Sequence, residues 1–232
     1  MLFTYESRHV GDITVITCRG SLAEGKELAI LQQHVGDWLR ESAYIVTDLG
    51  AVDFIDSSGL GFLVRLHAKA QRAGGDLKLC ALPARVAEVL RMTHLTSLFG
   101  VYGSEAEAIA ACYQAGKPSQ SPDTFHTDIL CVDESPDALA YVRELLKRAG
   151  FGVLTATNIA DAAVLSTTTR PKIVIISAAL RSITGIHSFT RSNGEAGRPT
   201  VIDLPQDFSK DEAGHAARDL LARVQSAMAA LG

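Results

Sequence analysis

Apolar residues in the first half of the chain occur in short runs, which predict strands, and in stretches spaced by three and four, which predict helices. The predicted strands are Leu2–Glu6, Ile13–Cys18, Tyr44–Leu49, Leu77–Cys80 and Phe99–Tyr102. The predicted helices are Glu24–Arg40, Ser57–Gly74, Pro83–Met92 and Ser104–Tyr113, the last capped by Ser104. A loop is expected between Leu49 and the helix at Ser57. This order predicts a mixed α/β sheet with helices packed against it.

The second half alternates more regularly between the two patterns. Its predicted strands are Asp128–Val132, Gly152–Thr155, Ile173–Ile176 and Thr200–Leu204. Its predicted helices are Pro136–Ala149, Ile159–Leu165, Thr184–Thr190 and Ser209–Leu231. The βαβαβ order with apolar strands predicts a parallel, doubly wound sheet of flavodoxin-like type. The apolar face of the last helix is expected to close the core of this sheet, with pairing to another chain as the alternative.

A polar segment rich in proline and serine separates the two halves and predicts a linker. We therefore expect a first domain over residues 1–116, a linker over 117–126 and a second domain over 127–232. The length of 232 residues and the hydrophobic content of 47% fit two ordinary globular cores and exclude disorder of the whole chain.

The overall charge and the absence of apolar runs exclude several function classes. The formal net charge is −4 and the pI is about 6.0, which argues against a nucleic-acid partner. No apolar run long enough to span a membrane and no signal-peptide pattern is visible, and the four cysteines are scattered singly, so we expect a cytoplasmic protein with reduced thiols. The histidines lack paired ligand spacing, and no metal or cofactor site is predicted.

The most informative stretch begins at Asp53 and reads Asp-Phe-Ile-Asp-Ser-Ser-Gly-Leu-Gly. In one interpretation, Ser57 or Ser58 simply caps the following helix, and the glycines allow close backbone packing. In the other, the helix start accommodates a phosphoryl group, because free N–H groups and the helix dipole favour negative charge there. A phosphoserine carries about −1.5 to −2 charges and can switch a protein contact without moving the backbone.

This stretch, together with Gly-Gly-Asp-Leu-Lys-Leu-Cys at residues 74–80 and the segment Val86–Leu98, resembles the STAS domain of bacterial anti-sigma factor antagonists. The resemblance covers about residues 3–114. It implies that Ser57 is phosphorylated by a partner anti-sigma factor, a serine kinase of the histidine-kinase-like ATPase fold, and that phosphorylation releases the partner. The implied partner-binding residues are Asp56, Ser57, Ser58, Gly59 and Leu60. Other STAS proteins or a second copy of this chain are further partners that the resemblance allows.

One position departs from the family pattern. Family members often carry an acidic residue directly after the Gly-x-Leu that ends the second strand, whereas here Gly20-Ser21-Leu22 is followed by Ala23 and then Glu24. The departure leaves two hypotheses open: the kinase is divergent, or the switch has been lost and binding alone remains.

The start of the second domain resembles a two-component receiver. Asp133 and Glu134 follow its first strand, as in receivers, but Ser177 stands where the phosphoacceptor aspartate ends the third strand. Pro205 replaces the hydroxyl residue after the fourth strand, and the chain is about one helix and one strand shorter than a receiver. Phosphotransfer needs a carboxylate nucleophile, and two acids without a third ligand hold Mg²⁺ weakly. We therefore expect a degenerate receiver pocket of Asp133, Glu134 and Ser177.

Three functional hypotheses follow. The first is an anti-sigma factor antagonist in a partner-switching pathway, a kinase substrate rather than an enzyme. The second is a STAS scaffold that does not switch, with the receiver-like domain as a protein-interaction module. The third is a response regulator driven by its receiver, which the serine at position 177 argues against.

Overall fold

The computed structural model describes residues 2–115, 127–181, 199–204 and 213–231. The chain divides into two compact units, Met1–Lys117 and Pro118–Gly232, and each contains one sheet. Several predicted features lie outside the described residues: the linker 117–126, the helix Thr184–Thr190, Pro205 and the first residues of the last predicted helix. Among the described helices, none is long and apolar enough to cross a membrane.

The first unit has a five-stranded sheet in the order β1-β2-β3-β4-β5. Its strands are β1 (Thr4–Val10), β2 (Ile13–Leu22), β3 (Tyr44–Ile55), β4 (Leu77–Cys80) and β5 (Gly100–Tyr102). Its helices are α1 (Lys26–Glu41), α2 (Ser57–Arg72), α3 (Ala84–Met92) and α4 (Glu105–Ala115), with a short 3₁₀ turn at Leu95–Ser97. The strands β1 and β2 pair antiparallel, and the other neighbours pair parallel, which confirms the predicted mixed sheet.

Helices cover both faces of this sheet. The buried side chains of α1, α2 and α3, among them Leu31, Phe62 and Leu90, form one core with the strand residues Ile45 and Leu79. The helix α4 packs against β3, β4 and β5. Its predicted cap is confirmed, because the side-chain oxygen of Ser104 accepts from the backbone N–H of Glu107 at 3.3 Å.

Three predicted strands of the first unit end too early. The first strand begins at Thr4 and continues to Val10, because it pairs along its length with β2, and β2 itself continues to Leu22. The loop expected after Leu49 is absent, since β3 continues to Ile55 and pairs with the end of β2. Exposed residues in these extensions break the apolar pattern, so only the backbone pairing defines them.

The second unit has four described strands, all parallel, in the order β7-β6-β8-β9. They are β6 (Ile129–Val132), β7 (Val153–Ala156), β8 (Ile173–Ser177) and β9 (Thr200–Leu204). The helices are α5 (Pro136–Arg148), α6 (Ile159–Thr169), α7 (Ala178–Arg181) and α8 (Ala213–Leu231). In α8, Leu220 and Val224 are fully buried in one core with strand residues and with α5, so this face closes the core of its own unit, as expected.

Candidate functional site

The pairing of β2 with β3 is irregular near the end of β3, and this irregularity determines which side chains face solvent just before helix α2. In the pairing of β2 with β3, Gly20 lies opposite Val52, whereas the next residue, Ser21, lies opposite Phe54. Asp53 is therefore the extra residue of a β-bulge, and its carboxylate accepts a hydrogen bond from the hydroxyl of Ser21 at 3.0 Å. A bulge reverses the inward and outward alternation of the residues that follow it. Consequently Phe54 faces outward with 47% of its surface exposed.

Asp56 caps helix α2. One oxygen of its carboxylate accepts from the backbone N–H groups of Ser58 and Gly59, both at 2.8 Å. The other accepts from the backbone N–H of Glu24 at 3.1 Å, which ties the segment after β2 to the helix start. The expectation that Ser57 or Ser58 provides the cap is thus wrong. The carboxylate of Asp56 accepts from the backbone N–H groups two and three residues after it, and the two serines already belong to the helix.

These hydrogen bonds set the ionisation of the site. The N–H groups of Gly59, Glu24 and Ser58 stabilise the charged form, and together they outweigh desolvation and hold the pKa of Asp56 below its ordinary value. The start of α2 therefore already carries a full negative charge at neutral pH.

The two serines differ in their accessibility. Ser57 is the first residue of α2 and is exposed, whereas Ser58 is half-buried. Leu60 is half-buried and packs against the core of the unit. Of the predicted partner-binding residues, Ser57 is thus the one with an exposed side chain.

Gly59 is buried at the closest approach of α2 to β2. A Cβ atom at this position would lie 2.1 Å from the carbonyl oxygen of Leu22 and 2.9 Å from Cγ1 of Ile55. Only glycine allows the helix to start so close to the strand, so its contribution to the site is to position Ser57.

Sequence reasoning missed two residues at this site. Phe54 was given no role of its own, because a bulge cannot be seen in the alternation of side chains. Glu24 was noted only as the residue that follows Ala23, the position that departs from the family pattern, and the structure shows that the backbone N–H of Glu24 is a partner of Asp56. Two polar residues were the available signal for a contact with the acidic segment: Ser21 inside the Gly-x-Leu strand end and Glu24 two residues after it.

The predicted receiver pocket lies at the carboxyl ends of β6 and β8, which are adjacent strands. Val132 pairs with Ile176, so Asp133 and Ser177 follow at the same level. Asp133 is half-buried and accepts from the backbone N–H of Ser135 at 2.7 Å, while Glu134 is exposed. Ser177 is 9% exposed. Within the described ranges, no three His, Cys, Asp or Glu side chains are grouped so that they could hold a metal ion.

Comparison with known proteins finds a family match within the first unit. Residues 4–108 match the family model of the STAS domain. BtrV of Bordetella bronchiseptica, which is named as an anti-sigma factor antagonist, is 35% identical over 74 residues, or 32% of this chain and 63% of BtrV. This chain thus spans less than two thirds of that relative. The anti-sigma F factor antagonist of Paenibacillus polymyxa is 25% identical over 105 residues, covering 45% of this chain and 90% of that protein.

Two solved structures are also similar to this region. An anti-sigma factor antagonist from Mycobacterium paratuberculosis is 22% identical, with a TM-score of 0.43, and the match covers 48% of this chain and 94% of that one. The Bacillus cell fate determinant SpoIIAA in its phosphorylated form is 18% identical, with a TM-score of 0.41, and the match covers 47% of this chain and 98% of that one. The family match, together with the two relatives, supports the N-terminal region of this chain as a STAS domain.

Proposed function

We propose that this protein is an anti-sigma factor antagonist that binds an anti-sigma factor serine kinase of the histidine-kinase-like ATPase fold, and that phosphorylation of Ser57 controls this contact. The observation that carries the proposal is the exposed Ser57 at the first position of α2, within a region that matches the STAS domain. The names of the two relatives support the class of partner.

The surroundings of Ser57 favour it over its neighbour as the phosphorylated residue. A kinase must reach the hydroxyl, and Ser57 is exposed whereas Ser58 is half-buried. Because Asp56 and Gly59 fix the start of α2 through backbone contacts, the hydroxyl is held on a rigid element. Ser57 is therefore the better placed of the two serines for phosphorylation.

A phosphoryl group here would change the charge of a surface that also contains an apolar residue. The N–H groups of Ser58 and Gly59 already donate to Asp56, so they do not neutralise a phosphate on Ser57 unless the cap breaks. The added charge of about −1.5 to −2 therefore lies beside the Asp56 carboxylate, three residues along the chain from the exposed Phe54. A partner that covers Phe54 would bury part of this charge, and taking a charge out of water opposes binding.

The proposal is tested by capture from host lysate with the full chain as bait, in four versions: Ser57→Ala, Ser57→Asp, Ser58→Ala and Ser58→Asp. We expect the Ser57→Ala bait to recover a histidine-kinase-like ATPase and the Ser57→Asp bait to lose it. The two Ser58 baits form the matched control, and their recoveries should differ much less than those of the two Ser57 baits. The recovered ATPase, incubated with ATP and the unmodified chain, should add one phosphoryl group, mapped to Ser57 by mass spectrometry.

Equal recovery with the Ser57→Ala and Ser57→Asp baits would contradict the switch. That result, or recovery of other STAS proteins alone, would favour the scaffold that does not switch.

We also propose that the second unit is a receiver-like domain without phosphotransfer, kept as a protein-interaction module. The parallel order β7-β6-β8-β9 and the position of Asp133 after β6 support the likeness to a receiver. The hydroxyl of Ser177 at the end of β8 argues against phosphotransfer, because it is not a carboxylate.

A further inference from the structure

The helix face that carries Ser57 also carries an exposed guanidinium. Ser57, Gly61 and Arg65 follow one another at intervals of four residues along α2, so they lie on one face of the helix. Arg65 is exposed, and it forms no hydrogen bond or ion pair with any residue that the structure describes. The N–H donors of its guanidinium are therefore available to a ligand.

The guanidinium of Arg65 lies over Gly61, toward Ser57. A Cβ atom on Gly61 would be 3.0 Å from Nη1 of Arg65 and 3.8 Å from its Cζ. Long side chains on a helix lean toward its N-terminus, and the missing side chain of Gly61 leaves room for the guanidinium. Positions 57 and 61 are one turn apart, so their Cβ positions are separated by about 5–6 Å. Because the guanidinium lies beside position 61, a phosphoryl group on Ser57 is within reach of it.

The first-turn N–H groups that ordinarily bind an anion at a helix start are partly occupied here. Those of Ser58 and Gly59 donate to the Asp56 carboxylate, which also repels a phosphate. A guanidinium offers planar paired donors that match phosphate oxygens and remains charged at all physiological pH values. Arg65 is therefore the cation on this face best placed to receive a phosphate on Ser57.

We propose that Arg65 binds the phosphoryl group carried by Ser57 and that Gly61 keeps the space in which it does so. This inference rests on the proposed function, since it assigns a partner to the phosphoryl group at the same site. The pairing would hold the phosphate along α2 and would remove Arg65 as a donor to a partner protein.

The test uses the full chain with phosphoserine installed at position 57 during translation, so that no kinase is needed. Phosphorus NMR over a pH titration gives the second pKa of the phosphate. Removal of a nearby cation by Arg65→Gln should raise this pKa by about half a unit at low salt, since an exposed pair is partly screened, and the shift should disappear in molar salt. Lys69→Gln removes a charge one turn farther along the same face and should change the titration much less.

A second pair of variants moves the guanidinium without removing its charge. Gly61→Ala places a methyl group where the guanidinium lies, and the flexible side chain can yield without disturbing the fold. It should raise the phosphate pKa in the direction of Arg65→Gln. Gly36→Ala is the matched control, because a Cβ there meets nothing within 4 Å, and it should leave the titration unchanged.

Equal shifts for Arg65→Gln and Lys69→Gln, or no shift for either Arg65→Gln or Gly61→Ala, would overturn the proposal. The outcome is separable from that of the proposed function, because neither a kinase nor a binding partner enters the measurement. A chain that binds no kinase can still show the pairing, and a kinase substrate can lack it.

Discussion

At the scale of single residues, the carboxylate of Asp56 joins three backbone N–H groups from two segments of the chain. Loss of a capping side chain typically costs about 1 kcal/mol, so we expect Asp56→Ala to lower the free energy of unfolding of the first unit by about that amount or somewhat more. The single tryptophan of the chain, Trp38, is buried in this unit, so its fluorescence during urea unfolding measures the change.

The same carboxylate predicts a dependence on pH. Because its hydrogen bonds lower the pKa of Asp56, its contribution to stability is present above the ordinary value of 3.8 and is lost as the pH falls through the lowered folded pKa. The stability advantage of the natural chain over Asp56→Asn, which cannot titrate, should therefore shrink in acid. An advantage that stays constant from neutral pH down to about pH 3 would contradict this account.

Gly59 allows a close approach that no other residue tolerates. In Gly59→Ala the new methyl group would overlap the Leu22 carbonyl, which is backbone and cannot move aside cheaply. We expect the first unit to lose about 2–3 kcal/mol of stability, in the upper range of overpacking effects. Gly36→Ala in α1 is the control and should gain up to about 1 kcal/mol from helix propensity. Equal stabilities of the two variants, by Trp38 fluorescence, would be inconsistent with the packing described here.

At the scale of elements, a buried ion pair lies at the start of β4. The amino group of Lys78 is 3.2 Å from a carboxylate oxygen of Asp76, and the two side chains are 6% and 34% exposed. Burial lowers the pKa of Lys78, but the charge and hydrogen bond of Asp76 raise it by more than burial lowers it. The pKa of Lys78 is therefore above its ordinary value. Its contribution to stability is therefore present below the ordinary value of 10.5 and is lost as the pH rises through the folded pKa.

Removing the acidic partner alone should destabilise the first unit more than replacing both partners of the pair. Asp76→Asn leaves Lys78 charged and buried, with an expected loss of about 2 kcal/mol, a value reduced from that of fully buried pairs because Asp76 is partly exposed. Lys78→Met should be better tolerated, and the double variant should be more stable than the sum of the two losses implies. Strict additivity in this cycle would show that the pair is not coupled.

Most elements could be predicted from the sequence, because their apolar spacing is regular. The strands Leu77–Cys80 and Thr200–Leu204 were predicted with their observed ends. The end of β3 was not, because its bulge places Asp53 and Phe54 both in solvent and breaks the alternation on which the prediction depended. The role of Asp56 as cap was missed for a related reason: sequence spacing gives candidates for a cap, but only the backbone geometry selects among them.

At the scale of the whole molecule, the second unit has the parallel sheet expected of a receiver-like domain but a serine at the end of β8. We expect acetyl phosphate to leave residues 127–232 unlabelled, as judged by intact mass and peptide mapping. A label on this unit that disappears in Asp133→Ala would contradict the proposed loss of phosphotransfer and favour a response regulator.

The central claim concerns the first unit, and one affinity ratio tests it most directly. The dissociation constant of the captured ATPase is measured for the full chain, unmodified and with phosphoserine at position 57. Covering the phosphoserine takes its charge out of water, which costs roughly several kcal/mol per ion even where a neighbouring cation offsets part of it, so we expect phosphorylation to weaken binding by tenfold or more. Equal dissociation constants for the two forms would contradict a switch at Ser57.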